Sequence, residues 1–164
     1  MIKAAETRAE EVILTNKYFS LATVDDNGPW AAALAYTIGF PNYLYFFSHK
    51  TSLHGQAMLQ PSKISGVIFD STVLPENAES IQFSGVGEVC HKRELIEYVL
   101  EQNYEEPPNE DKINELFNNH KTVLFRVSID EAFVLDQKLF LETGIDGRQP
   151  FDIQTVFSRL ANQQ

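Results

Sequence analysis

The sequence predicts a mainly β protein with one domain, residues 1–164, in which six antiparallel strands form a barrel or curled sheet beside short helices. Three observations predict this class. The chain is long enough for one core, and it contains neither a linker nor an internal repeat. Segments rich in β-forming residues follow one another with turn residues between them. The regular alternation of strands and long helices that marks a doubly wound parallel sheet is missing.

The first half of the chain is predicted to contain one helix and three strands. Apolar residues at helical spacing, with charges between them, predict an amphipathic helix that ends near Asn16. Strong turn formers occupy residues 25–28 and 39–42. Strands are therefore predicted at residues 18–24, 30–38 and 43–47, joined as an antiparallel meander.

The second half is predicted to add three strands and several short helices. A helical segment within residues 51–60 is stopped by Pro61. Gly85 and Gly87 interrupt the fifth strand, which indicates a bulge, a barrel corner or the close approach of a ligand. Strands are predicted at residues 64–69, 81–89 and 122–129, and residues 133–135 are predicted to extend the last of them. Helices are predicted at 92–102, near 113–117 and at 153–160, and a loop is predicted at 144–150.

The charge and cysteine content exclude several classes of protein. Thirteen basic and 23 acidic residues give a formal net charge of −10, which repels nucleic-acid phosphates, so no nucleic-acid partner is predicted. Residues 27–48 carry no charge, but the turn at 39–42 divides them into two strands rather than a membrane span. With no apolar leader segment and one cysteine, Cys90, the protein is expected to be soluble and cytoplasmic.

The segment from Ser48 to His54 concentrates the polar groups that could carry chemistry. It lies between an aromatic strand and a helix start, where backbone N–H groups, three hydroxyls, one lysine and two histidines could bind an anion. Plain N-capping of the helix by Thr51 or Ser52 explains the same residues equally well. His49 and His54 are not accompanied by a zinc-ligand pattern, so no metal site is predicted.

The order of the motifs resembles the pyridoxamine 5′-phosphate oxidase-like family, the FMN-binding split barrels. The resemblance covers about residues 10 to 135. It is carried by Leu21–Pro29, Leu44–Ser48, Ser52–His54 at the start of a helix that ends at Pro61, Lys63–Ser65 and Ile81–Glu88. It implies a split β-barrel, FMN as cofactor and a homodimer with the flavin at the two-fold interface.

The resemblance also implies which residues hold the cofactor. A strand passes beside the flavin ring through its backbone, a Ser-Arg-Lys motif holds the phosphate, and a polar residue of the fifth strand faces the ring. In this chain the motif reads Ser52-Leu53-His54, with neighbouring hydroxyls and a lysine that partly compensate. The implied site is Ala32, Ala33, Leu34, Ala35, Phe47, Ser48, Lys50, Thr51, Ser52, His54 and Gln82, and no catalytic residue is assigned.

The function implied is an FMN-binding oxidoreductase with a small-molecule substrate. Authentic vitamin B6 oxidase activity is not expected, because the tail contains Arg148 and Arg159 but no histidine to grip pyridoxal phosphate. Two alternatives stay open: a non-catalytic split barrel that binds flavin or haem, and a cofactor-free dimeric module. A homodimer is also expected from the residues, since the aromatic strands should leave an apolar patch exposed.

Overall fold

The computed structural model describes residues 4–103, 106–118 and 121–162, and its centre is one eight-stranded sheet. The strands are β1 (Tyr18–Asp25), β2 (Gly28–Ala35), β3 (Thr37–Gly39), β4 (Tyr43–His49), β5 (Ser62–Phe69), β6 (Glu79–Cys90), β7 (Thr122–Asp136) and β8 (Arg148–Pro150). The helices are α1 (Ala5–Thr15), α2 (Leu53–Ala57), α3 (Arg93–Asn103), α4 (Glu110–Asn118), α5 (Gln137–Thr143) and α6 (Ile153–Ala161), with a 3₁₀ turn at Pro75–Asn77. All strand pairs are antiparallel, which confirms the mainly β prediction.

The sheet curls into a split barrel because its two edges are consecutive in the chain. The strand order is β2-β1-β5-β6-β7-β4-β3, with β8 beside β7. The chain passes from β2 at one edge to β3 at the other through Tyr36. The hydroxyl of Tyr36 donates to the carbonyls of Ile13 and Asn16, and its backbone N–H donates to Lys17, so this corner is fixed to the end of α1.

Three local predictions need correction. The segment predicted as one strand over residues 30–38 is two strands, since the chain turns at Tyr36 to leave one edge for the other. The predicted loop at 144–150 contains β8, and α5 before it was not predicted. Both elements form through contacts with the end of β7 and the loop beside it, which local sequence preference does not encode.

The glycines of β6 have the structural roles that the sequence left open. The register of β6 and β7 shifts between Ser84 and Gly85, which is a bulge, and a Cβ at Gly85 would overlap the carbonyl oxygen of Ser128. A Cβ at Gly87 would overlap the sulfur of Met58, the fully buried C-cap residue of α2. Gly87 therefore lets α2 pack into the barrel.

Two apolar cores hold the fold together. The barrel interior is filled by aromatic and aliphatic side chains, including Phe46 stacked on Phe125 with ring centroids 5.3 Å apart. A second core packs α3 and α4 on the outer side of β4 and β7. Arg8 of α1 is buried and donates to Glu79, Asp136 and the carbonyl of Leu135, at 3.1, 3.0 and 2.9 Å. This ion pair network fixes α1 to β6 and β7.

The aromatic residues do not form the exposed patch that the sequence predicted. Tyr45, Phe46 and Phe83 are buried, and the rings of Tyr36, Tyr43 and Phe47 are half-buried against the two cores. Of the aromatic residues in the strands around residues 30–47 and in β6, Trp30 stays exposed, with 49% of its surface accessible, and Tyr18 and Phe69 on neighbouring strands are exposed as well. An exposed patch formed by these aromatic residues therefore no longer supports the homodimer, which stays a prediction. Within the described residues, no helix is both long and apolar enough to cross a membrane.

Candidate functional site

The end of β4 and the start of α2 form a hydrogen-bonded cluster of Ser48, Ser52 and His54. The Nε2 atom of His54 lies 2.7 Å from Oγ of Ser48 and 3.1 Å from Oγ of Ser52. The histidine is 8% exposed, and its ring lies beside that of Phe46. Burial lowers the pKa of His54 below its ordinary value, because a charged imidazolium would lose its hydration. We call these three residues the Ser48–Ser52–His54 cluster.

Ser52 is the N-cap of α2. Its hydroxyl accepts from the backbone N–H of Gly55 at 3.1 Å and donates to the carbonyl of His49 at 2.7 Å. The capping role proposed from the sequence is thereby confirmed for this residue. A Cβ at Gly55 would overlap the same His49 carbonyl, so α2 can approach the end of β4 only with glycine here. The binding of an anion by this loop stays a prediction.

The neighbours of the cluster differ in exposure. Leu53, the first residue of α2, is 47% exposed, and it is therefore not the core residue that its spacing to Ala57 could suggest. Thr51 is exposed as well. Lys50 is half-buried, and its backbone is fixed at both ends: its N–H donates to the Lys121 carbonyl at 2.8 Å, and its carbonyl accepts from the Gln56 side chain.

The predicted residues of β2 divide between the two sides of an edge strand. Ala33 and Ala35 face outward and are exposed, whereas Ala32 and Leu34 are half-buried on the inner side. In the described part of the chain β2 pairs with β1 and with no second strand, so one backbone edge of β2 is open. Helix α2 packs against β1 and β2, which brings this edge strand to the same part of the barrel as the cluster.

Gln82 lies apart from the cluster. It stands on the outer side of β6, in one row with Val67, Ser20 and Ala33 across four adjacent strands. At the usual strand spacing, Gln82 and Ala33 are about 14 Å apart. Within one chain, Gln82 does not lie with the other predicted site residues at the end of β4 and the start of α2. Those residues are Phe47, Ser48, Lys50, Thr51, Ser52 and His54.

The outward side of β2, β1, β5 and β6 is a broad surface of small and apolar residues. We call it the outer face. Among its members, Lys63 is the one residue with a charge, and Glu88, the next outward residue of β6, is charged and pairs with Arg126. The outer face consists of Pro29, Ala31, Ala33, Ala35, Tyr18, Ser20, Ala22, Val24, Lys63, Ser65, Val67, Phe69, Gln82, Ser84 and Val86.

A cavity of about 750 Å³ opens between the end of α1, the corner between β2 and β3, and the end of α3. Its walls include aromatic rings such as Tyr36 and Phe47, and its polar lining combines the amides of Asn16, Gln102 and Asn103 with Lys17. Asn103 donates to the buried Thr37 hydroxyl at 2.6 Å. The sequence gives no local signal for this cavity, because its walls come from segments far apart in the chain.

The family model of pyridoxamine 5′-phosphate oxidase matches residues 5–136. This chain belongs to that family. No curated protein matches the chain. The match covers the helix α1, the strands β1 to β7 and the Ser48–Ser52–His54 cluster, so the family membership rests on the barrel itself.

Solved structures share the split-barrel fold. A haem-binding protein from Mycobacterium smegmatis is 14% identical with a TM-score of 0.66, over 96% of this chain and 62% of that chain. A pyridoxine phosphate oxidase family protein related to general stress protein 26, from Clostridium acetobutylicum, is 11% identical with a TM-score of 0.63, over 92% and 96%. The haem storage protein of Vibrio cholerae is 17% identical with a TM-score of 0.62, over 80% and 95%. At these low sequence identities, the TM-scores show a shared fold and nothing further.

The residues present fit the ring of a flavin better than its phosphate. The pyrimidine edge of the ring carries one N–H between two carbonyl groups, and the open backbone edge of β2 offers matching groups beside alanine side chains. A phosphate dianion is bound most strongly by cationic donors, and the cluster presents instead a buried histidine whose pKa is lowered by burial. Among the described residues, no group of three or more His, Cys, Asp or Glu side chains could hold a metal ion.

Proposed function

We propose that this chain is a homodimeric flavin-binding protein that acts as an oxidoreductase on a small molecule, with FMN as the cofactor that the family implies. The observation that carries the proposal is the open edge of β2, flanked by Ala33 and Ala35 and lying beside α2. Small side chains let a planar ring approach the backbone, as a bulky residue would not.

The outer face supports the homodimer. In a protein with net charge −10, a surface of fifteen residues over four strands that carries one charge, on Lys63, and is bordered by the ion-paired Glu88 is typical of an interface. A second copy is the simplest occupant, because a two-fold contact needs no further partner. The pair would then cover the alanines of β2, and Gln82 of one copy could approach a ring held by the other.

The redox chemistry would be supplied by the flavin, and the chain would bind and orient it. The half-buried ring of Phe47 and the backbone of β2 would exclude water from its faces. The substrate would enter the cavity at the end of α3. The amides of Asn103 and Gln102 favour a hydrogen-bonding substrate, and Lys17 in the same lining favours one that is neutral or anionic.

Flavin binding and dimerisation can be tested together. We expect the wild-type protein to quench riboflavin or FMN fluorescence at micromolar concentration and to have the mass of a dimer in light scattering. Ala33→Asp places a carboxylate on the outer face and should give a monomer that has lost the flavin. Ala161→Asp, at an exposed position at the end of α6, is the matched control and should change neither property. A wild-type protein that is monomeric and binds no flavin would refute the proposal.

Haem is a second candidate ligand, because two solved structures of this fold are described as haem-binding and haem storage proteins. His54 is a poor axial ligand here, since its Nε2 is buried against two hydroxyls. His49 is exposed at the end of β4 and would be the ligand. Titration with hemin should then give a Soret shift that His49→Ala abolishes, and His91→Ala, at another exposed histidine, should preserve it.

A further inference from the structure

We propose that the site recognises the ring of its ligand and does not read a 5′-phosphate, so that unphosphorylated flavin binds as tightly as FMN. This inference rests on the flavin-binding function proposed above. It concerns the segment from Ser48 to His54, where the family resemblance places the phosphate.

The hydroxyls of the Ser48–Ser52–His54 cluster are consumed within the protein. The proton of Ser52 is donated to the carbonyl of His49, and its oxygen accepts from Gly55. If Nε2 of His54 carries no proton, it accepts the proton of Ser48, and no hydroxyl proton is left for a ligand. If Nε2 carries the proton, it donates to one of the serines and only the Ser48 hydroxyl can turn outward. The cluster thus offers a phosphate at most one donor.

Positive charge is also scarce in this segment. His54 is buried and held neutral, and Leu53 stands where the resemblance places an arginine. Helix α2 has five residues, so few peptide dipoles add at its start, and its N-cap already binds one of the N–H groups. Lys50 is the cation of the segment, in a protein with net charge −10. One lysine holds a phosphate as a point charge, without the two parallel bonds that an arginine forms.

Arg126, the nearest arginine along the strand partner of β4, is not available in place of the missing one. Its guanidinium pairs with Glu88 and lies over the ring of Tyr43, 4.8 Å from the centroid. The side chain projects to the outer side of the sheet, beside the second core. An anion at the cluster would therefore have to compete with an existing carboxylate for this group.

The test compares dissociation constants for riboflavin and FMN by fluorescence titration of the wild-type protein. We expect the two constants to agree within about threefold. FMN binding at least about tenfold tighter than riboflavin, roughly 1.4 kcal/mol, would overturn this inference and leave the proposed function intact. Binding of neither flavin would refute the proposed function and the inference with it.

A gain-of-function variant adds a second readout. Leu53→Arg should tighten FMN binding by about tenfold or more and leave riboflavin binding unchanged, because it supplies the guanidinium that a phosphate needs. Leu59→Arg is the matched control, since Leu59 is 40% exposed just beyond α2. If Leu53→Arg gives FMN no advantage over riboflavin, or no more than Leu59→Arg does, the cluster is not where the phosphate would lie and the inference is wrong.

Discussion

The Oγ atom of Ser48 lies 2.7 Å from Nε2 of the buried His54, and this hydrogen bond joins the end of β4 to the first turn of α2. Ser48→Ala removes one of the two hydroxyl partners of the imidazole. We expect a loss of about 1–3 kcal/mol in the free energy of unfolding, because a buried polar group then lacks its partner. Urea denaturation measures this. Ser71→Ala, in the exposed loop after β5, should change the midpoint little, and an equal loss in both variants would contradict the role of the bond.

The lowered pKa of His54 predicts an acid-sensitive fold. Because its folded pKa lies below the unfolded value of 6.5, the unfolded chain takes up the proton first. The stability that His54 contributes is complete above pH 6.5 and is lost as the pH falls below it. His54→Gln should therefore flatten the decline of the melting temperature between pH 7 and 5. A decline as steep as that of the wild type would contradict this assignment.

The same shift bears on the pH dependence of FMN binding. A histidine with an ordinary pKa would strengthen FMN binding as the pH falls from 8 towards 6, since it would become a cation beside the phosphate. Burial lowers the pKa of His54 below that ordinary value, so the histidine is mostly neutral above pH 6.5 and adds little positive charge there. We therefore expect the FMN dissociation constant to be constant between pH 8 and 6.5. A clear strengthening that disappears in His54→Gln would show that the residue does charge.

Arg8→Met tests the ion pair network at the other end of the barrel. The substitution keeps the apolar stem but leaves the carboxylates of Glu79 and Asp136 without their cation. Removing one partner of a buried pair costs about 3–5 kcal/mol, and because Glu79 is 41% exposed the loss should lie at the lower end of that range. The unfolding midpoint should fall accordingly, whereas Arg148→Met, at an exposed pair with Asp146, should leave it unchanged. A small loss for Arg8→Met would mean that α1 is held by its apolar face.

Gly55→Ala tests the close approach of α2 to β4. The added methyl group would overlap the His49 carbonyl, so the turn must shift and the cap by Ser52 must weaken. We expect a lower melting temperature together with weaker riboflavin binding. Gln60→Ala, at an exposed position just beyond α2, is the control. Unchanged melting would show that the turn adapts without cost.

The fold could be predicted from the sequence in those segments where the local sequence pattern indicates the same element that the folded protein forms. The six long strands, the helix α1 and the bulge near Gly85 follow from periodicity, turn residues and glycine placement. The break at Tyr36 was not predictable, because the residue is a good β former and leaves the strand only to bond Ile13 and Asn16. Its partners lie 20 or more residues away in the chain.

The segment that forms the candidate site could be predicted from the sequence, but the three-dimensional arrangement of its side chains could not. The hydroxyl-rich run from Ser48 to Ser52 is visible in the sequence, but its spacing does not reveal that His54 turns inward to bind both serines. Leu53 could be exposed or buried by its spacing, and the structure shows it exposed. The separation of Gln82 from the cluster follows from the strand order, which depends on the whole chain.

The contacts of Arg8 have a consequence for how the protein is made. Its partners Glu79 and Asp136 lie 71 and 128 residues further along the chain. During synthesis the N-terminal helix therefore leaves the ribosome long before the groups that will hold it exist. Although α1 is made before the strands that hold it, it is among the last elements to dock, and until β7 has emerged its apolar side is exposed to other nascent chains and chaperones.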